Sequence, residues 1–234
     1  MPQKIRCEVV DLVDHGEHVY SVFLKPDSPA PRFSAGQFLH LALDSFNPGD
    51  FWPESRAFSI ASAPTNRNLL RITYAVKGQF TTRMESELHP GCQVWIKLPY
   101  GDFIVDSEND VCLLAGGTGV TAFTAFLGGL ASDYPHSVYV FYGARNPELL
   151  IYRSLIESAA ERCANLKSYF LVEEGDVPES VKGRINLDVV WQRIPDPLSV
   201  IYYLSGPPVM LKALSDALEN RGIPRTQIAI DAWE

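Results

Sequence analysis

The chain has 234 residues, 46% of them apolar and 21% charged, which is enough to build one large or two modest cores and is unlike a disordered composition. A net charge of −8 argues against a nucleic-acid binder, which would carry a basic face. No apolar run approaches the roughly 20 residues that a membrane-spanning helix needs, and the opening MPQKIRCEVV lacks a secretory signal pattern.

Up to residue 105 the chain reads as short strands. IRCEVVDLV, VYSVFLK, QFLHLAL, RAFSIAS, LLRITYAV and QVWIKLP are the candidates. DHG, PDSPAP, NPGD, PTNRN and HPG supply the turns between them. TTRMESELH reads as a helix between the fifth and sixth strands. Strands at this spacing predict an antiparallel barrel or sandwich. From about residue 106 the pattern alternates. VCLLA, SVYVFYGA, NLKSYFLVEE, LSVIYYLSG and TQIAIDAW read as strands. VTAFTAFLGGLAS, PELLIYRSLIESAAER and PPVMLKALSDALENRG read as helices. That order predicts a parallel sheet covered on both faces. Two domains follow, 1–105 and 106–234, with a boundary near SENDV and no long linker.

Three loops carry chemistry. In LLAGGTGVTAF, Gly117, Gly119 and Ala122 fit G-x-G-x-x-G/A between a strand and a helix. Such glycines let backbone approach a pyrophosphate, and the helix start supplies amides. Taken alone, this turn serves packing about as readily as phosphate binding. The acidic residue usual some 20 positions on is also missing, because the next strand ends FYGA. SGPPVM is a second glycine turn after a strand, and by itself it reads as a helix start with prolines. KGQFTTRM opens a helix with Gly78, Thr81 and Thr82. It is an anion site by construction, although an ordinary threonine cap gives the same letters. Cys7, Cys92, Cys112 and Cys163 lie far apart with no CxxC or Cys/His cluster, so no metal or iron–sulfur site is expected. Free thiols point to a reducing cytoplasm.

The order and spacing of these stretches resemble the ferredoxin–NADP⁺ reductase-like flavoproteins. RAFSIASAP resembles that family's RxYSxxSxP, with Phe58 in the tyrosine place. KGQFTT resembles its GxxS/T phosphate motif, LPYGDF its GPxGxF and GGTGVTA its GGTGxTP. FYGARNPELLIY resembles the segment after the second nucleotide-domain strand. SGPPVM resembles CGPPxM, with Ser205 for cysteine.

The resemblance implies an antiparallel β-barrel that binds FAD, followed by an α/β domain that binds NAD(P)H. It implies that Arg56, Gly78 and Thr81 hold the FAD pyrophosphate. Phe58 packs on the isoalloxazine and Ser59 bonds flavin N5. Ala57, Tyr74, Val76, Gln79, Phe80 and Thr82 complete the flavin site. Gly117, Thr118, Gly119 and Thr121 take the nicotinamide nucleotide pyrophosphate, and Gly206 and Pro207 border the nicotinamide. Ser205 and Asp231 stand near the reacting atoms. Trp233 either stacks on the ring or covers a hydrophobic edge, and Glu234 is a further candidate acceptor. Glu173 and Glu174 favour NADH over NADPH, while Arg145 and Arg153 are cations able to hold a 2′-phosphate. The implied activity passes hydride from nicotinamide to FAD, then electrons to a separate ferredoxin or oxygenase component. A reductase of free flavin and an electron-transfer subunit of a larger complex are the alternatives.

Overall fold

The structure is a computed structural model that describes residues 2–105, 108–175, 178 and 180–231. The chain divides into two compact units, Met1–Ile104 and Val105–Glu234, each with its own core.

In the first unit, β1 (Gln3–Asp14), β2 (Val19–Pro26), β3 (Phe38–Ala42), β4 (Ser55–Ser59), β5 (Leu70–Ala75) and β6 (Gln93–Tyr100) pair in the order β4-β3-β6-β1-β2-β5. All the pairings are antiparallel. Period-two alternation sends Ile5, Cys7 and Val9 of β1 inward to meet Val22, Leu24, Ile72 and Ile96. Each such side chain contributes about 1.5–3 kcal/mol on burial. The sequence predicts one strand over RAFSIAS, but pairing with β3 ends at Ser59. Ile60 still donates to the Gln37 carbonyl at 3.0 Å, and Ala61 then donates to that of Arg71 at 2.8 Å. The chain therefore passes from β3 to β5 at this point, and the exchange nearly closes the six strands into a barrel.

α1 (Gln79–Glu87) joins β5 to β6 and starts two residues before the predicted TTRMESELH. Phe80 and Met84, four apart, lie on one helix face and are buried in the barrel core.

In the second unit, β7 (Val111–Gly116), β8 (Val138–Ala144), β9 (Leu166–Val172), β10 (Ser180–Lys182), β11 (Ile201–Ser205) and β12 (Ile228–Ile230) are parallel in the order β10-β9-β8-β7-β11-β12. The helices are α2 (Thr121–Gly128), α3 (Arg153–Arg162), α4 (Leu187–Trp191) and α5 (Pro208–Asn220). Every residue of β7 is buried, as expected of a strand covered on both faces. Cys112 and Leu114 face a core shared with α4 and α5. Arg162 of α3 donates to the carbonyls of Leu127 and Gly128, which closes the C-terminal end of α2.

Three features depart from the sequence reading. β10 and α4 are too short to show a period. PELLIYRSLIESAAER is not one helix: a single turn at Pro147–Leu149 precedes α3, and Leu150 and Tyr152 between them are both buried. Residues two apart on a helix point to nearly opposite sides, so burying both requires a break. Asn146 closes the first turn by accepting from the Leu149 amide at 3.1 Å. Among the described residues, no helix is long and apolar enough to cross a membrane.

Candidate functional site

Two sets of residues are assembled, one in each unit. In the first, β4 alternation places Arg56 and Phe58 on one face and Ala57 and Ser59 on the other. The Arg56 guanidinium lies 5.1 Å from the centre of the Phe80 ring, at the first turn of α1. Its nitrogens also donate to Glu54 Oε1 and to the Ser55 carbonyl, both at 2.9 Å. RAFS and KGQFTT, separated in sequence by all of β5, therefore meet in space. Gly78 caps α1 in an extended conformation with open space where a Cβ would stand. Thr81 Oγ1 accepts from the amides of Lys77 and Gly78 at 2.9 and 3.1 Å. Thr81 thus satisfies the entry to the helix from within its first turn, while the amides of Gln79 and Phe80 have no i−4 carbonyl to bond. Thr82 makes an ordinary helical bond to Gly78, and Val76 donates to the His18 carbonyl. An arginine fork beside a helix N-terminus has the donors and charge to hold an anion.

Phe58 meets Tyr74 edge-on at 6.1 Å, and Tyr74 stacks on Tyr20 at 5.6 Å. Tyr74 is 3% exposed, and its buried hydroxyl has no hydrogen-bond partner among the described residues. Burial pushes that phenol far above its ordinary value, so it stays a neutral donor. Ser59 lies opposite Phe38 in β3. An unsatisfied buried donor, aromatic faces and an arginine with free first-turn amides fit an aromatic cofactor that carries a pyrophosphate.

The other side of α1 is tied down by Glu85, which accepts from Tyr20 at 2.9 Å and lies 2.7 Å from His18 Nδ1. That hydrogen bond raises the His18 pKa, and His18 in turn lowers that of Glu85. A raised histidine stabilises the fold fully below its ordinary 6.5, and the contribution is lost as pH rises through the raised folded value. A depressed carboxylate contributes above its ordinary 4.5 and loses that contribution on acidification. Melting temperature measured against pH is therefore expected to decline above about pH 6.5 in the natural chain. His18→Asn, which suits the positive φ of 59° at this position, is expected to flatten that decline. An unchanged slope in the variant would remove His18 from this role.

In the second unit the strand order reverses between β7 and β11, and ligands bind at the carboxyl ends of strands at such a switch point. Gly116–Gly119 leaves β7 there, and Ser205–Pro207 leaves β11 beside it. Gly117 has φ of +55° and open space around it. Gly119 serves differently, because a Cβ on it would lie 2.5 Å from the Ser205 carbonyl carbon and oxygen. A Cβ on Gly206 would lie 2.7 Å from Met210 Cε and 3.1 Å from Gly116 backbone, so the two loops interlock through glycines. Thr121 Oγ1 donates to the Thr118 carbonyl at 2.8 Å and tightens the turn into α2. Pro207 precedes α5 and Pro208 is its first residue. Ser205 is buried and donates to Asp231 Oδ2 at 2.8 Å, while the Asp231 amide bonds Leu204. Trp233 and Glu234 lie outside the described residues.

Glu173 and Glu174 follow β9. Glu173 Oε2 accepts from Arg184 Nε at 2.7 Å, a partner the sequence reading missed. Arg153, one of the two cations named as able to hold a 2′-phosphate, bonds Glu157 at 2.6 Å and lies 5.0 Å from the Phe170 ring centre. Glu54 was also missed; it lies in the bend just before β4, from which its carboxylate accepts from Arg56. Gly116 and Met210 acquire their importance only from the β7–β11 adjacency.

A family profile described as "Oxidoreductase NAD-binding domain" matches residues 113–216. The chain is 30% identical over 192 residues to the NAD(P)H-flavin reductase of Vibrio harveyi, covering 77% of this chain and 76% of that protein. It is 27% identical over 247 residues to the reductase component of propane 2-monooxygenase from Rhodococcus jostii strain RHA1. That match covers 99% of this chain but 64% of the relative, so the chain spans less than two thirds of that protein's length. In fold it resembles the crystal structure of the Amycolatopsis cytochrome P450 reductase GcoB, with a TM-score of 0.85 at 22% identity over 99% of this chain and 70% of that one.

Proposed function

The chain belongs to the ferredoxin–NADP⁺ reductase-like family of FAD/NAD(P)-binding oxidoreductases, and we propose from this that it takes hydride from NAD(P)H onto FAD and hands electrons to a separate acceptor. The observation that carries the reading is Arg56 on Phe80 beside the open first turn of α1. Arg56 and the Gln79 and Phe80 amides bind the FAD pyrophosphate, with Gly78 leaving room for it. Phe58 and Tyr74 offer aromatic faces, and the Ser59 hydroxyl bonds flavin N5. The amides of Gly117, Thr118 and Gly119 hold the pyrophosphate of the nicotinamide nucleotide, whose ring Gly206 and Pro207 border. Asp231 fixes the Ser205 hydroxyl in one orientation and so acts as a positioning residue. FAD, when bound, supplies the hydride acceptor and the later one- or two-electron donor. The acceptor is an oxygenase component, as the Rhodococcus jostii relative's name suggests for that protein, or a ferredoxin. Its site of action is the cytoplasm, which suits four free cysteines.

The similarity to the Vibrio harveyi flavin reductase favours a second reading, in which the acceptor is free flavin. The visible spectrum of the purified protein, followed by anaerobic NADH, separates them. Flavin bands that bleach on NADH are expected. A colourless protein that oxidises NADH only when FAD or FMN is added would establish the second reading, and a colourless, inert protein would exclude both.

A further inference from the structure

We infer that Met210 is an oxidation site: hydrogen peroxide converts its thioether to the sulfoxide, which parts the two loops of the nucleotide cleft and weakens nucleotide binding. The inference rests on the nucleotide-binding reading of the second unit. Met210 is the third residue of α5, and its partly buried side chain packs against the core of that unit. A Cβ on Gly116 would stand 2.6 Å from its Sδ and 3.0 Å from its Cε, and one on Gly206 would stand 2.7 Å from its Cε. The thioether therefore fills the gap that two residues without side chains leave between the end of β7 and the β11–α5 loop. An unbranched, apolar and polarisable chain suits such a gap.

Burial selects this sulfur. The sequence has three methionines, of which Met84 is fully buried in the barrel core and Met1 lies outside the described residues. Cys7, Cys112 and Cys163 are buried, and burial holds the Cys7 and Cys112 thiols far above their ordinary value, so neither offers a thiolate. Cys92 is partly exposed but belongs to the first unit. In the oxidation a lone pair on Sδ attacks one peroxide oxygen. The O–O bond breaks as the S–O bond forms, the other oxygen leaves as water, and the sulfur gives up the two electrons that the peroxide gains. A methionine sulfoxide reductase with a dithiol reverses the step, releasing the oxygen as water and leaving a disulfide. The proposed activity supplies the oxidant whenever dioxygen replaces the electron acceptor, since NADH, a proton and dioxygen give NAD⁺ and hydrogen peroxide. A carbon on either glycine would already clash with the thioether, so those sides are filled. One more oxygen, and a polar one, forces the loops apart or drives the side chain out of its apolar gap. Either change removes the packing that holds the Gly116–Gly119 turn against Ser205 and Gly206.

Added hydrogen peroxide, peptide mass spectrometry and calorimetric titration with NAD⁺ test this without any hydride transfer. Met210 is expected to gain one oxygen well before Met84, while circular dichroism stays unchanged. NAD⁺ binding is expected to weaken about tenfold in step with that gain, as a polar group forced into an apolar site predicts, and to recover with methionine sulfoxide reductase and dithiothreitol. Met210→Leu, judged against its own untreated sample, is expected to keep its NAD⁺ affinity through the same treatment, and Cys92→Ser is expected to lose affinity as the natural chain does. A Met210 that resists peroxide until the protein unfolds, or a sulfoxide at Met210 with unchanged NAD⁺ affinity, would overturn the inference, as would an equal loss in Met210→Leu. Each of these leaves NADH oxidation, and hence the reductase reading, intact. The expected pattern in a protein that never oxidises NADH would uphold the inference for added peroxide and overturn the reductase reading. Failure of the untreated natural chain to bind NAD⁺ would overturn both.

Discussion

Gly119→Ala is expected to lower kcat/KM for NADH by on the order of a hundredfold, the size of effect that displacing a bound reactant by about an ångström produces. The added Cβ would stand 2.5 Å from the Ser205 carbonyl carbon and oxygen and 2.6 Å from the Gly206 nitrogen. All three are backbone atoms, so no side chain can rotate away. Relief requires the β7–α2 turn to move off the β11–α5 loop, and those loops are the two sides of the proposed nucleotide cleft. Overpacking of this kind costs about 1–3 kcal/mol of stability, which a domain of ordinary stability survives. The flavin content should stay unchanged, because Arg56, Phe58 and α1 all belong to the other unit. Steady-state kinetics together with the flavin-to-protein ratio checks the result. Wild-type kinetics in the variant would show that these loops do not position the nucleotide.

Arg56→Ala is expected to weaken FAD binding by roughly ten- to a hundredfold, since a hydrogen bond to a charged partner contributes about 1.5–3 kcal/mol. The side chain is exposed on an edge strand, and its pair with Glu54 is worth at most about 1 kcal/mol, so the barrel itself should be little affected. Arg56→Lys should fall between the two, because an ammonium keeps the charge but not the planar fork or the fit to the Phe80 face. Fluorescence titration of flavin-stripped protein with FAD gives the constants, and circular dichroism reports the fold. If Arg56→Ala bound FAD as tightly as the natural chain, the pyrophosphate would have to lie elsewhere and the flavin reading would lose its main support.

Features that depend on neighbours close in sequence were legible before the fold. IRCEVVDLV was legible as a strand from its composition and flanking turn, because those signals lie within the stretch itself. The switch from short strands to alternating strands and helices separated a barrel from a parallel sheet. The turns at Gly116–Gly119 and Ser205–Pro207 were visible because glycine and proline act on their own backbone. Residues that acquire meaning through partners distant in sequence were not legible. The breaks after Ser59 and at Leu150–Tyr152 arise where burial or a change of strand partner overrides a local period. β10 exists only because β9 offers it an edge. The packing of Gly119 on Ser205, the placing of Arg56 over Phe80 and the pairing of Arg184 with Glu173 follow from strand order and register. A sequence therefore determines which residues can do chemistry and on which elements they lie. Which of them stand within bonding distance is decided by the tertiary structure, because contact energies act over ångströms in space, whatever the separation along the chain.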